Sequence, residues 1–235
     1  MELMNWQFWA SVYNVAIMAL EVIIFDLDNT LYNSDSGLLQ EIGRRIRVWL
    51  QRVMRISPDE AARIQKDYYM RYGTTMGGLV VEHQGLDIHD YLDYVHDIAV
   101  ETYLDASPQL ATMLDSLALR KIVYTNATSE YGWRVLRALG VYAHFEQVVG
   151  IEEVNFRNKV HRDAYEHMLK LISADSSNCI MVEDWVSNLQ AAKELGMTTI
   201  LVGAERAEHV DYVVDGVLDV AYVVRMVLRA DGMAQ

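Results

Sequence analysis

Asp26 and Asp28 stand two residues apart where an apolar run, Glu21-Val-Ile-Ile-Phe25, meets Asp26-Leu-Asp-Asn-Thr30. A carboxylate can attack phosphorus and form an acyl phosphate, splitting one hard displacement into two easier ones. A second carboxylic acid beside it can protonate the leaving oxygen and then activate water. Three further segments put polar residues at the close of, or just beyond, apolar sequence: Thr125-Asn126, Lys159 and Glu183-Asp184. Carboxylates brought together repel one another unless a cation joins them. Asp26 and Asp184 would offer oxygen ligands to Mg²⁺, which takes such donors together with a phosphate oxygen. Thr125, backbone amides near Asn126, and Lys159 would hold the remaining phosphoryl oxygens, because phosphoryl transfer is mostly positioning and charge stabilisation. Each segment also has a plainer reading. Asp26 and Asp28 suit a turn and a helix cap, Thr125-Asn126 suits a cap, and Lys159, with Arg157 close by, suits solvent. Glu183 would prop Asp184 or Lys159, or bind directly, and Asn188, four residues past Asp184, is expected to face the same site in support.

The elements that must position these residues can be read from hydrophobic periodicity. Residues 21–26, 121–125, 147–150, 179–184 and 198–202 read as short buried strands, with another near 212–214. Residues 130–139, 162–172 and 188–195 read as helices between them, and a last helix runs to about residue 229. Strands alternating with helices imply an α/β fold, a doubly wound parallel sheet. Sites in such sheets form at the carboxyl ends of the strands, where the polar residues above lie. Residues 33–107 interrupt the alternation with helical sequence. Residues 38–54 carry apolar side chains at helical spacing, and Ser57-Pro58 opens a second helix. Gly73 and Gly77-Gly78 punctuate a loop or break, residues 90–103 read as helix, and Ser107-Pro108 opens another. The expected organisation is an N-terminal extension over 1–20, a core over 21–32 and 108–235, and an inserted helical cap over 33–107.

Phe25-Asp-Leu-Asp-Asn-Thr-Leu31 resembles the DxDxT signature of the haloacid dehalogenase-like hydrolase superfamily, and Thr30 completes it. Thr125-Asn126, Lys159, and Glu183-Asp184 with Asn188 resemble its later motifs, in order, over residues 21 to about 203. The resemblance implies a Rossmann-like core, Asp26 as nucleophile and Asp28 as acid and base. It implies Mg²⁺ held by Asp26, the Asp28 backbone carbonyl and Asp184, and phosphate held by Thr125 and Lys159. The place of the insert is similar to the helical-cap subgroup. Within it, Tyr68-Tyr-Met-Arg-Tyr-Gly73, Gly78-Leu79, Asp90-Tyr91 and Val95-His-Asp97 resemble the pyrimidine 5′-nucleotidase branch, which implies a nucleoside monophosphate. Tyr72, Thr74, Thr75 and Gly78 are the cap residues expected to touch substrate, with helix packing the plainer reading of the tyrosines. Three positions depart from the usual pattern: Val160 follows Lys159 in place of Pro, Trp185 replaces a small residue, and Glu183 stands where Asp or Gly is common.

A sugar-phosphate phosphatase or phosphomutase would use the same parts, and so would a binding protein that has lost catalysis. A 2-haloacid dehalogenase fits less well, since that chemistry needs neither Asp28 nor Mg²⁺. The 235 residues carry a net charge of −13 with no basic stripe, so a long nucleic-acid partner is not expected and a small phosphomonoester is. The single cysteine, Cys179, lies in an apolar run and suits a reducing cytoplasm. The first twenty residues lack a basic n-region and a cleavage site, and polar residues interrupt them, so neither a signal peptide nor a membrane span is expected. They read as a docking helix or as sequence ahead of a start at Met18. The oligomeric expectation is a monomer or homodimer. His83, His89 and His96 show no metal-ligand spacing and read as surface or packing residues.

Overall fold

The computed structural model describes residues 20–203 and 208–233, so the N-terminal extension lies outside the described residues except for Leu20. Six strands form one sheet: β1 (Val22–Phe25), β2 (Arg120–Tyr124), β3 (Gln147–Val149), β4 (Cys179–Glu183), β5 (Thr198–Val202) and β6 (Tyr212–Val214). All pairs are parallel and the order is β3-β2-β1-β4-β5-β6. The chain winds outward from β1 to β3, returns to the other side of β1 with β4, and winds outward again. The reversal leaves a crevice between the carboxyl ends of β1 and β4, where doubly wound sheets take their ligands.

Alternation within the strands explains why they are apolar throughout. In β1, Ile23 and Phe25 join one core while Val22 and Ile24 join the other, on the opposite face of the sheet. Helices α5 (Pro108–Asp115), α6 (Ser129–Ala138) and α9 (Val220–Met233) cover the first face. Helices α7 (Arg162–Leu171) and α8 (Val186–Glu194) cover the second. Among the described residues no helix is long and apolar enough to cross a membrane.

Four helices lie between β1 and α5: α1 (Leu38–Met54), α2 (Pro58–Tyr72), α3 (Thr75–Glu82) and α4 (Ile88–His96). Their starts follow their caps. Ser57 Oγ accepts from Glu60 N with Pro58 in the first turn, Thr74 Oγ1 accepts from Gly77 N, and the Asp87 side chain accepts from His89 N and Asp90 N. Two expectations are corrected here. Gly77-Gly78 is not a loop; it lies inside α3, because the Thr74 cap and the apolar residues Met76 and Leu79 outweigh the poor helix propensity of glycine. The helix expected over 90–103 stops at His96. There the chain turns to bury Ile98 and Val100, and the Arg134 guanidinium accepts the load of the freed end by donating to the His96 and Ile98 carbonyls.

Gly78 is a packing residue. A Cβ there would sit 2.2 Å from Tyr68 Cγ and 2.6 Å from Tyr68 Cβ, and the Tyr68 hydroxyl is tied to His83 Nε2 at 2.7 Å. Gly78→Ala is expected to destabilise the protein by about 1–3 kcal/mol through overpacking. A chemical-denaturation midpoint equal to that of the wild type would show that α3 yields to the methyl group without cost.

Candidate active site

The strand ladder carries the first site residues to the rim of the sheet. Asp26 N donates to the Val182 carbonyl at 2.8 Å and Thr125 N to the Val149 carbonyl at 3.0 Å, so each side chain emerges just past a strand end. Leu31 N then closes a turn on the Leu27 carbonyl at 3.0 Å, with Asn29 at φ 61°, and this turn brings Asp28 back toward the crevice. Glu183 is the last residue of β4 and Asp184 the next.

Lys159 reaches the same place from the loop before α7. Its backbone N–H donates to Asn126 Oδ1 at 3.0 Å, which fixes that loop to the end of β2. Its side chain is fully buried, and Nζ donates to Asp26 Oδ1 and, at 2.9 Å, to Glu183 Oε2. The other Glu183 oxygen accepts from the backbone amides of Asp184 at 3.2 Å and Trp185 at 3.3 Å. Lys159 is therefore not a solvated lysine. Its neighbours touch the helical insert: Asn158 Nδ2 donates to the Tyr72 carbonyl at 2.5 Å and to Thr74 Oγ1 at 3.2 Å, and a Cβ on Gly73 would meet Val160 at 2.7 Å. Val160 thus abuts the turn between α2 and α3.

Asp28 is held differently. The hydroxyls of Tyr32 and Tyr131 both donate to its Oδ1, Tyr131 at 3.1 Å. Burial, then the charge of Asp26, pushes Asp28 up to about 6, while the two phenols pull it down. Asp26 is raised by burial and then by Glu183, and Lys159 recovers only part of that shift. For Lys159, burial works against the ammonium, but Asp26 and Glu183 together outweigh it and its pKa lies above the usual lysine value. Four carboxylates, Asp26 and Glu183 buried and Asp28 and Asp184 half-buried, thus surround one ammonium. The oxygens of Asp26, Glu183 and Asp184 lie within 4.8 Å of one another, the one such group among the described residues. Hard oxygen donors with uncompensated negative charge fit a divalent cation such as Mg²⁺.

Above the acids opens a cleft of about 460 Å³ between the sheet and the four helices. Asp26, Asp28, Thr125, Asn126, Glu183, Asp184 and Asn188 line it, as do Thr74 and Thr75. Two expected cap residues do not. Tyr72 turns its hydroxyl to Glu82 and Arg71 on the outer side, and Gly78 packs on Tyr68. Thr30 is buried beneath the turn rather than on the cleft wall. Thr125 Oγ1 accepts from Ala127 N at 3.0 Å, so its own proton remains to be donated.

Several neighbours escaped the sequence reading. Tyr32 lies four residues after Asp28, a spacing that could have shown it. Tyr131 comes from a distant helix and left no local signal, and Tyr69 lies within the Tyr68–Gly73 segment but is not among the residues expected to touch substrate. Tyr69 lies close to the acids; burial, then the charges of Asp184, Glu183 and Asp26, push its phenol up to about 12. His96 lines the cleft from α4 and its ring lies 4.8 Å from that of Tyr131. Burial, helped by the charge of Arg134, pushes its imidazole down to about 3, so it is neutral.

A parallel sheet with an acidic site at its switch point defines an α/β enzyme core, and the comparisons with known proteins agree. Residues 20–196 match the haloacid dehalogenase-like hydrolase family, so the chain belongs to that family and is a hydrolase. It is 26% identical over 201 residues to Phosphate metabolism protein 8 of Saccharomyces cerevisiae, covering 78% of this chain but 61% of the yeast protein. It is 26% identical over 222 residues to glyceraldehyde 3-phosphate phosphatase of Methanocaldococcus jannaschii, covering 86% of this chain and 96% of that one. Among solved structures, the HAD phosphatase from Thermococcus onnurineus superposes with a TM-score of 0.61 at 18% identity, covering 87% of this chain and 97% of that one. At that identity the likeness is one of fold.

Proposed function

We propose that the protein is a Mg²⁺-dependent phosphomonoester hydrolase in which Asp26 is the nucleophile. The observation that carries this reading is the buried Lys159 ammonium shared between Asp26 and Glu183 beneath an open cleft. An Asp26 oxygen attacks phosphorus, the bond from phosphorus to the leaving oxygen breaks, and Asp28 gives that oxygen its proton. Asp28 then takes a proton from water, the water oxygen attacks phosphorus, and the bond to Asp26 breaks to release phosphate. With a pKa near 6, Asp28 suits both halves of this cycle. Tyr32 and Tyr131 occupy its Oδ1, leaving Oδ2 as the atom that carries the proton. Thr125, Asn126 and Lys159 orient the phosphoryl group. Asp26 and Asp184, with the Asp28 carbonyl and Glu183 in support, would hold Mg²⁺. When bound, the ion offsets the excess carboxylate charge and polarises a phosphoryl oxygen.

On this reading residues 33–107 are a cap that closes over a core of 21–32 and 108–235, and Thr74 and Thr75 meet the substrate. A nucleoside monophosphate such as UMP or CMP is the proposed substrate, because the cleft has room for far more than a phosphoryl group. The glyceraldehyde 3-phosphate phosphatase of Methanocaldococcus jannaschii, similar over nearly its whole length, favours a small sugar phosphate as the second reading. Phosphate release from UMP, CMP and glyceraldehyde 3-phosphate, with Mg²⁺ and with EDTA, separates them. The expected result is Mg²⁺-dependent release that is fastest from the nucleotides. Faster release from glyceraldehyde 3-phosphate would move the substrate to the sugar phosphates, and release undiminished by EDTA would remove the metal.

A further inference from the structure

We infer that the cleft selects esters whose leaving group carries one flat, uncharged ring, which Tyr69 and Trp185 close over. The inference rests on the phosphomonoesterase reading and extends it to the body of the substrate. Charge is the first argument. Among the described residues no arginine lines the cleft, and the Lys159 ammonium is committed to Asp26 and Glu183. Among the described residues, the exposed Lys66 is the one cationic side chain left in the lining, since the His96 imidazole there is neutral. A leaving group with its own carboxylate or phosphate would therefore enter an acidic, half-closed site with almost nothing to pair it.

The walls supply the second argument. Ile42 and Ile46 from α1 and Leu92 and Val95 from α4 face the space above the acids. Such a wall gains nothing from a small polyol and gains from an apolar face. The mouth supplies the third. Tyr69, from α2, and Trp185, directly after Asp184, bring their rings to 5.4 Å between centroids at an interplanar angle of 59°. They are 41% and 42% exposed, large apolar surfaces left open at the entrance to the site. One comes from the helical insert and the other from the end of β4, so the packed pair roofs the mouth and a flat ring beneath it lies against both. Because Trp185 directly follows Asp184, the covered ring lies in the same cleft as the phosphoryl group. Trp185 thereby gains a role in substrate choice.

The test compares kcat/KM of the full chain with Mg²⁺ for benzyl phosphate, ethyl phosphate and 2-phosphoglycolate. Benzyl alcohol and ethanol are leaving groups of similar basicity, so their difference reports binding. Wild type is expected to favour benzyl over ethyl phosphate by about tenfold, and Tyr69→Ala or Trp185→Ser to cut that ratio by about fivefold, mainly through KM for the benzyl ester. Tyr69→Phe and Trp185→Phe keep a ring and are expected to retain most of the preference. Tyr222→Ala removes an exposed aromatic on α9, away from the cleft, and is expected to leave the ratio unchanged. 2-Phosphoglycolate is expected to be the poorest substrate of the three. Turnover with a benzyl-to-ethyl ratio near one, or a ratio that neither truncation changes, would overturn the inference and leave the phosphatase reading standing. No phosphate from any of the three esters, nor from UMP or CMP, would remove that reading and this inference with it.

Discussion

Asp26→Asn is expected to lower Mg²⁺-dependent phosphate release by at least about a thousandfold, as removal of a nucleophile does. The same substitution is expected to raise the melting temperature of the metal-free protein at pH 8. Both follow from one environment. The amide cannot form the acyl phosphate, so turnover stops whatever the substrate binding. The Asp26 carboxylate, however, is buried beside Glu183, and its pKa in the folded state is raised despite Lys159. A carboxyl group with a raised folded pKa binds its proton more tightly folded than unfolded. Its contribution to stability is therefore lost as pH rises from the ordinary aspartate value through the folded one, and it stays lost above. Asparagine keeps an oxygen for Lys159 without that ionisation. A gain of roughly 1–2 kcal/mol would appear as about 2–8 °C in a protein of this size. Mg²⁺ should narrow the gap, because it binds the native wild type and loses a ligand in the variant. Thermal melts in EDTA and in Mg²⁺, run beside the phosphate assay, check both halves. Wild-type turnover in Asp26→Asn would remove Asp26 as nucleophile, and a lower melting temperature in EDTA would show that the Lys159–Asp26 contact outweighs the burial cost.

The sheet was legible because its strands are buried on both faces. Val22 to Phe25 and Cys179 to Glu183 are short, almost wholly apolar runs, too short for helices, and the alternation with helices restricts the topology. The acids were legible for the same reason: a carboxylate that ends a fully apolar strand stands out, and the switch point says where such ends meet. What could not be read is whatever depends on long-range contact. Tyr131 reaches Asp28 across 103 residues, and Asn158 reaches the Tyr72 carbonyl across 86, with nothing local to announce either. The helical insert was hardest. In α3 glycine propensity argued against a helix that its cap and its apolar residues made, and at His96 the helix ended because Ile98 and Val100 had a core to enter. Tyr72 and Gly78 lie off the cleft because the face of a helix is chosen by its neighbours, here Glu82 and Tyr68.

Lys159→Met is expected to cost about 3–5 kcal/mol at pH 8 and to abolish activity, since it leaves buried charge without its partner. Lys159 Nζ is the shared donor to Asp26 and Glu183, all three side chains are buried, and methionine fills similar volume with no charge. The cost should depend on pH in a direction that packing alone does not give. Both carboxyl groups already have raised folded pKa values, and in both Lys159 acts to lower them. Without it they rise further, so each takes up a proton on folding over a wider range of pH. The stability they withhold is greatest above their folded values and is regained as pH falls through them. Urea denaturation at pH 8 and pH 6 should therefore show the deficit of the variant shrinking at the lower pH. Glu183→Gln in the Lys159→Met background removes one of the two stranded charges. It should restore part of the loss, and more than the same change gains alone in the wild type, where Lys159 already offsets that charge. Such a difference is the mark of direct coupling between the two positions. Equal deficits at both pH values, with no recovery in the double variant, would mean that Lys159 holds the site by its shape and not by its charge.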